Sequence, residues 1–386
     1  AEWLRVDRER VRELIEELAY EAHRSQPSLI GTADILQSHL VDGLMRLAQN
    51  PDVKPARLIE YLSNRAGLLL PRGIGVFTFP HRTFQEYLTA CYLTRHMEPE
   101  EIAALACDDV DRWREVTLLA AARATEGMAT GFWAIIDNLC PELFQPADTE
   151  DARLWGAHLA GQALVESINL ERVSERNLQK VKRVRDGLLV IIKQGKLPPR
   201  ERALAGNHLA LLGDPRPEVL TCEAMTFCEV PYGTITISDG EGQKTLTLPK
   251  FWIGTYPVTV AQFEQFVNSG GYTNPDYWAV SITKKYWDKT GYKCRLNDQI
   301  RTAPILYPAP FNLPNHPVVG VSGFEALAFT RWLNHQLRHL ASERSGEPWR
   351  SLVNGSLQVS LPTNGQWEKA ARGSYWRPYP WFGDFD

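Results

Sequence analysis

Long apolar runs are missing from this 386-residue chain. Nothing approaches the roughly 18–20 consecutive apolar residues of a membrane span, so no transmembrane helix and no membrane partner are expected. The opening AEWLRVDRER has no apolar signal-peptide core, and it does not start with Met, so the chain is expected to be clipped at its front. A basic excess is missing too. Lys and Arg number 42 against 46 Asp and Glu, a formal charge of −4. Phosphate-binding surfaces usually show as positive excess, so no nucleic-acid partner is expected. The phosphate-cradling loop G-x-x-x-x-G-K-S/T is absent, and this chain is not expected to hydrolyse a nucleotide unaided. Cysteines are few and unpatterned, at 91, 107, 140, 222, 228 and 294. None forms C-x-x-C and none has zinc spacing with His. Reduced, mostly buried thiols in a cytoplasmic protein are the expectation, with no metal site.

What is present is an ordinary globular composition, 44% hydrophobic and 23% charged, at a length that suggests two or three domains. The text changes character near residue 213. Before it, helical spacing dominates. Val11, Leu14, Ile15, Leu18 and Ala22 form one stripe over Val6 to His23, with Asp7 as N-cap and Val6 and Val11 placed as a hydrophobic staple. A second helix is predicted over Asp34 to Gln49 and a third from Pro55 to near Gly67. Then Gly67–Leu70, the turn residues Pro71–Gly75 and Val76–Phe79 give a hairpin signal, followed by a helix with Phe84, Tyr87, Leu88, Cys91 and Tyr92 on one stripe. Helices, a two-stranded wing and another helix read as a winged-helix unit. Without a basic recognition helix, a structural role is favoured over DNA binding. Between 99 and 213 more helices are predicted, from Asp111 to Ala120, Thr149 to Ile168, Leu178 to Lys193 and Pro199 to Gly213. They suggest a helical arm of stacked hairpins with no clean repeat, and the charged stretch Glu171–Arg185 reads as a solvated face.

After 213 the punctuation changes. Thr234–Ser238, Lys244–Leu248 and Phe251–Tyr256 read as strands. Three helix starts carry capping boxes, Thr259 with Gln262, Ser322 with Glu325, and Thr363 with Gln366. Leu357, Val359 and Leu361 alternate with Gln358 and Ser360, as in a strand with one buried face. Residues 272–311 are rich in aromatics and proline, with Tyr272, Tyr277, Trp278, Tyr286, Trp287, Tyr292 and Tyr307. Such a long stretch suits either recognition or folding back on its own domain. On the first reading Tyr277, Trp278, Tyr286 and Trp287 are the candidate ligand-binding residues.

The segment GVFTFPHRTFQEYLTACYL (75–93) carries Phe79, His81, Phe84, Gln85, Glu86, Tyr87 and Leu88. It resembles the winged-helix end of NACHT-type signalling ATPases of the STAND class. The resemblance implies that His81 reaches the phosphates of ADP bound to an upstream ATPase module and helps hold its resting state. A helix N-terminus favours such an anion. The alternative is that His81 only caps its helix or packs under the wing. ATP or ADP is thus implied for an upstream module, with no cofactor in this chain, and that module implies a route to homo-oligomers.

A longer resemblance covers the C-terminal part. LGDPRP (212–217), KFWIGTYPVTVAQFEQFVNSGGY (250–272), NHPVVGVSGFEALAFTRWLN (315–334) and LPTNGQWEKAARG (361–373) are similar, in order, to blocks of the formylglycine-generating enzyme (sulfatase-modifying factor) family. The resemblance implies an irregular α+β fold related to the C-type lectins. Structural duties explain the motif residues: Pro257 and Pro317 end strands, Trp367 with Ala370 and Ala371 faces the core, and Glu325, Glu368 and Arg372 act as polar braces. The family's enzymes oxidise a substrate cysteine with oxygen, using copper on a cysteine pair late in the domain, where soft thiolates suit Cu(I). Here the text stops at Asp386, so the domain is expected to be truncated before that pair. Cys222, Cys228 and Cys294 match nothing in the family pattern, and no catalytic residue is assigned. Departures are VPYGTITISDG at 230–240, Gly323–Phe324 in place of W-Y, and Asn364–Gly365–Gln366 in place of E-A-E.

The expected architecture is multidomain: a winged-helix end at 1–98, a helical arm at 99–213 and a formylglycine-generating-enzyme-like domain at 214–386. The expected function is part of a STAND signalling or defence protein whose last domain binds a protein or small-molecule ligand. Two alternatives stand beside it. One is an oxygen- and metal-dependent formylglycine-generating or related thiol-oxidising enzyme, using copper or iron; the iron motif H-x-x-x-H-x-E of related sulfoxide-forming enzymes is not found. The other is a variable binding protein of a diversity-generating retroelement.

Overall fold

The computed structural model describes residues 7–47, 55–126, 129–142, 149–238, 242–288, 290–294, 299–373 and 377–380. Val6 of the expected staple, the helix end at Gln49, Asp239 and Gly240 of the opening block, and the end of the chain at Asp386 lie outside those residues. The chain divides into two compact units, Ala1–Gly213 and Asp214–Asp386.

In the first unit, α1 (Arg8–Ser25) starts where Asp7 accepts the Glu9 N–H at 2.9 Å. Its stripe of Leu14, Ile15, Leu18 and Ala22 is buried. The second predicted helix starts later than expected. Asp34–Leu36 is a strand, β1, and α2 runs Gln37–Leu47. The reason is a third strand of the wing that short-range spacing does not reveal. β1 pairs antiparallel with β3 (Val76–Thr78), Ile35 opposite Phe77, and β3 also pairs with β2 (Leu70–Gly73), giving the order β1-β3-β2. Between them α3 (Pro55–Glu60) passes into a π-turn, Tyr61–Arg65. Helix α4 (Arg82–His96) follows the wing. Leu14, Leu18, Leu40, Leu44, Leu62, Leu69 and Phe79 make one core.

Helices α5 (Pro99–Asp108), α6 (Val110–Glu126), α7 (Ala129–Leu139), α8 (Glu150–Ser167), α9 (Glu175–Gln194) and α10 (Pro199–Leu212) surround a second core built from Trp113, Phe132, Ile136, Leu159, Leu164, Leu188 and Leu209. Their ends follow sequence rules. Thr149 caps α8 through the Ala152 N–H at 3.1 Å, and α9 stops at Gly195, left-handed at φ 68°. Within this core Arg114 Nη1 donates to Glu201 Oε2 at 2.8 Å, and His158 Nε2 meets the same oxygen at 2.8 Å. His208 lies 5.6 Å from the His158 ring. Burial holds both imidazoles below their ordinary pKa, His208 at about 4. Among the described residues, no helix is long and apolar enough to cross a membrane.

The second unit mixes short strands with helices. A first turn, α11 (Pro217–Leu220), leads to β4 (Phe227–Val230), β5 (Gly233–Ser238), β6 (Gln243–Leu248) and β7 (Phe251–Gly254). β4 pairs antiparallel with β7, Cys228 opposite Ile253, and β5 pairs with β6. Next come α12 (Val260–Asn268), α13 (Ala279–Thr283), and a small sheet of β8 (Trp287–Asp288), β9 (Gly291–Lys293) and β10 (Ile300–Arg301) in the order β10-β9-β8. The long α14 (Gly323–Ala341), the short α15 (Trp349–Val353) and α16 (Asn364–Arg372) complete it. All three predicted capping boxes are formed, each with both reciprocal bonds, at Thr259/Gln262, Ser322/Glu325 and Thr363/Gln366. The core is aromatic, with Phe263 stacked on Phe329 at 5.1 Å and Phe266 at 5.7 Å from Trp332.

Two expectations fail here. Leu357–Leu361 joins no ladder among the described residues. Instead the Leu357 N–H donates to the Ser351 carbonyl at 2.9 Å and the Val359 N–H to Asn334 Oδ1 at 2.9 Å. Trp367 does not face the core. It is 61% exposed, and the buried position of α16 is Gly365.

Candidate functional site

His81 is the N-cap residue of α4, extended at φ −140° and ψ 147°. Its carbonyl accepts the N–H groups of Phe84 at 3.1 Å and Gln85 at 3.2 Å. Its imidazole is exposed and makes no capping bond to the first turn. The next motif residues are structural. Gln85 is buried; its Oε1 accepts the Ala33 N–H at 2.8 Å and its Nε2 donates to His23 Nδ1 at 3.2 Å. That leaves His23 Nε2 protonated and facing the Arg112 carbonyl at 3.0 Å. Arg82 pairs with Glu86 at 2.7 Å.

In the second unit the aromatic stretch turns inward. Trp278 is 1% exposed and its Nε1 donates to the Gly271 carbonyl at 2.8 Å. Trp287 is buried and donates to the Tyr272 carbonyl at 2.9 Å. Both indoles stand in the core with their polar atoms satisfied, which corrects their reading as surface anchors. Tyr277 and Tyr286 are half-buried, Tyr286 against Phe324 at 5.3 Å. The four candidates thus do not form one recognition surface.

At the centre of this stretch is a buried carboxylate. Glu325 is fully enclosed; Oε1 accepts from the Tyr272 hydroxyl at 2.7 Å and pairs with Arg301 at 3.1 Å, while Oε2 accepts the Ser322 N–H at 2.7 Å. Burial and the neighbouring carboxylate push the Tyr272 phenol far above its ordinary value, so it serves as a permanent donor. The node is a brace, with its acid already neutralised by partners. Glu368 and Arg372 are likewise paired, at 3.0 Å. Arg301 and Tyr272 are functional in this structural sense, and sequence reading did not assign them that role because their partner Glu325 lies far along the chain.

The cysteines do not gather. Cys222 is buried with Sγ on the Gln262 carbonyl at 3.5 Å, and burial pushes its thiol up to about 12. Cys228 is exposed beside Thr255 Oγ1, and Cys294 receives Arg301 Nη1 at 3.6 Å. Three sulfurs facing three different partners, one of them strongly disfavouring its thiolate, do not fit a Cu(I) pair. Among the described residues, no group of three or more His, Cys, Asp or Glu is placed to hold a metal ion.

What the second unit does present is an apolar groove of about 770 Å³. One wall is the chain from Pro249 through β7 to Val258; the floor is the α14 face of Phe329, Leu333 and Leu337; the far wall is Ser356–Pro362, closed by Trp349 and Trp367. Among the described residues that line it, Lys250 is the single charged side chain. Sequence reading missed this site because its walls come from four separated segments. Its one local signal, the alternation at 357–361, looks like an ordinary strand.

Comparison with known proteins agrees with the division into two units. Residues 214–386 match the family model of the Sulfatase-modifying factor enzyme 1-like domain, and residues 4–93 match that of the Winged helix-turn-helix domain C-terminal to NACHT. The chain is 27% identical over 207 residues to a formylglycine-generating enzyme of Mus musculus, covering 45% of this chain and 46% of the relative. It is 24% identical over 281 residues to a hercynine oxygenase of Mycolicibacterium thermoresistibile, covering 68% and 50%. An uncharacterized Bacillus subtilis protein is 26% identical over 165 residues, covering 41% and 25%. The chain therefore spans half or less of the length of these relatives. No solved structure matches at the same stringency. The protein is multidomain, with a helical first part that carries a NACHT-associated winged helix and a mixed α/β second part of the sulfatase-modifying-factor type.

Proposed function

We propose that this chain links a nucleotide-driven switch to a binding domain in a cytoplasmic NACHT-type signalling or defence protein. The first unit would be the winged-helix end and arm of the switch. The second, a lectin-related body, would be the sensor or effector that meets a ligand. The observation that carries this reading is the groove: it is large and aromatic, and among the described residues its lining contains no His, Cys, Asp or Glu. Such a wall suits recognition, since ligand sites are mostly apolar and aromatic with a few polar groups, here Lys250 and Tyr256. The winged-helix match supports the switch, and the displayed His81 ring supports a role toward the phosphates of ADP on an upstream module.

The test uses the full protein with its ATPase module. His81→Ala should speed release of ADP at least about tenfold, the loss of one charge-assisted contact or more. An unchanged ADP release rate would remove His81 from the switch. A second reading rests on the names of the relatives, formylglycine-generating enzyme and hercynine oxygenase: an oxygen-using enzyme acting on thiols. Incubating the full protein with Cu(I), oxygen and a cysteine-containing peptide decides between them. Turnover of the thiol would favour the enzyme and overturn the binding reading.

A further inference from the structure

The first unit has two apolar cores, and α1 and α4 serve both. Leu18, Ala22 and Leu88 belong to the wing core, whereas Tyr20, Ala90, Leu93 and Trp113 belong to the arm core. A polar seam of buried Gln85, His23 and Gln26 joins the two. On the wing side Gln85 Oε1 accepts the Ala33 N–H at 2.8 Å. On the arm side the His23 ring meets Trp113 edge-on at 5.1 Å. The Gln85 backbone N–H donates to the His81 carbonyl at 3.2 Å, so Gln85 stands one turn after that cap. Its Nε2 donates to His23 Nδ1 at 3.2 Å and to Gln26 Oε1 at 3.3 Å. A backbone N–H can only donate, so Ala33 fixes which way the amide faces, and the amide fixes the His23 tautomer. His23 Nε2 then donates to the Arg112 carbonyl at 3.0 Å. Arg112 returns the contact. Its Nη1 donates to the carbonyls of His23 at 2.7 Å and Gln26 at 3.0 Å, which closes the end of α1. Asp109 holds its Nε at 3.1 Å. One chain of bonds thus runs from the cap of α4, through the end of α1, to the start of α6 in the arm.

Packed apolar helices can slide past each other by small steps. A buried chain whose donors and acceptors are all assigned cannot. Shifting one member leaves a buried group unpaired, at a cost of about 1–3 kcal/mol. The chain also requires a neutral His23, because a second proton, on Nδ1, would face the Gln85 amide, itself a donor. Burial lowers the His23 pKa, and the Arg82 and Arg112 guanidiniums side with burial against the Arg112 carbonyl and Glu86. We infer that this seam couples His81 to the helical arm: Gln85 and His23 are positioning residues through which a phosphate group gained or lost at the α4 cap shifts the start of α6. The inference rests on the reading of His81 given above and adds the route by which the arm responds.

The test uses the full protein with its ATPase module, and ADP is the probe. Amide exchange over α6 is measured with and without saturating ADP. ADP should slow exchange there about fivefold or more, the lower end of ordinary coupling between sites. Gln85→Leu removes the amide at similar volume and should cut that response to under about twofold, while ADP still slows exchange over 82–86. Arg112→Ala, at a half-buried position, should do the same and keeps the test decisive if the buried change does not fold. Leu62→Val loosens the wing core instead and should keep the full α6 response, which separates positioning from mere stability. An α6 response that survives Gln85→Leu and Arg112→Ala would overturn the seam and leave His81 in place. So would a response absent from the unaltered protein, or one lost equally in Leu62→Val. An ADP release rate unmoved by His81→Ala would instead remove the reading on which the inference rests, and the inference with it.

Discussion

The hydroxyl of Tyr272 donates to Glu325 Oε1 at 2.7 Å, joining residues 53 positions apart inside the second unit. Both side chains are buried, and Arg301 Nη2 adds a charge contact at 3.1 Å. Removing the phenol leaves an enclosed carboxylate short of a donor, so Tyr272→Phe should lower the stability of this unit by about 1–3 kcal/mol. Arg301→Ala removes the compensating charge and should cost more, about 3–5 kcal/mol. Urea unfolding followed by amide exchange over α14 measures both. Equal, small effects would mean that the node holds nothing in place.

The three capping boxes should not be equal. Thr363 is exposed, and Thr363→Ala should cost about 1 kcal/mol. Thr259 is buried, and its hydroxyl also donates to the Val219 carbonyl at 2.7 Å. Thr259→Ala should therefore cost roughly twice as much, because a second buried acceptor loses its donor. The comparison of the two midpoints in urea checks the order.

Gly271 ends the tight turn after α12. A methyl group there would overlap the Phe266 ring and come within 2.5 Å of its carbonyl oxygen. The wall is partly backbone, so it cannot swing aside. Gly271→Ala should destabilise the second unit by about 1–3 kcal/mol, the range for overpacking, whereas Gly323→Ala, with open space around it, should fall within about 0.5 kcal/mol.

The histidine pair of the helical arm gives a pH dependence with a definite sign. The folded values of His158 and His208 lie below the unfolded value near 6.5, His208 at about 4. Above pH 6.5 neither state binds the proton, and these groups cost nothing. As pH falls from about 6.5 toward 4, the unfolded chain takes up protons that the folded arm does not, and stability drops through that window. Amide exchange of α8 and α10 at pH 7.5 and pH 5 reads the loss. His208→Gln should flatten the slope, and an unchanged slope would place the titration elsewhere.

Much of the local structure could be read from the chain because short-range chemistry decides it. Thr259, Ser322 and Thr363 announce their helices through bonds that close within three residues, and all three form. Leu357–Leu361 shows the limit of such reading. Alternation states which side chains want burial, but a strand also needs a neighbour, and no local pattern encodes one. β1 shows the converse: Asp34–Leu36 looked like the start of a helix until a wing strand 42 positions away, read from the pairing of Ile35 with Phe77, claimed it. Trp278 and Trp287 failed as surface anchors for a related reason. Their residue type suits an interface or a core equally, and only the carbonyls of Gly271 and Tyr272, placed by the turn before them, settle the choice. The groove was invisible because Trp252, Phe329, Trp349 and Trp367 belong to four segments that meet only after folding.

Asp214, the first residue of the second unit, is 6% exposed. Arg216 Nη2 reaches its Oδ2 at 2.6 Å, and Asn315 Nδ2 donates to the same oxygen at 2.8 Å. Burial opposes the charge on Asp214, but those bonds outweigh it and hold the carboxyl below its usual range. Whoever cuts this unit free for study must therefore begin at Asp214 or earlier. Starting at Glu218 would remove the Asp214 carboxylate that Asn315 binds, two residues before the bridge of Pro317 to Thr259 at the head of α12.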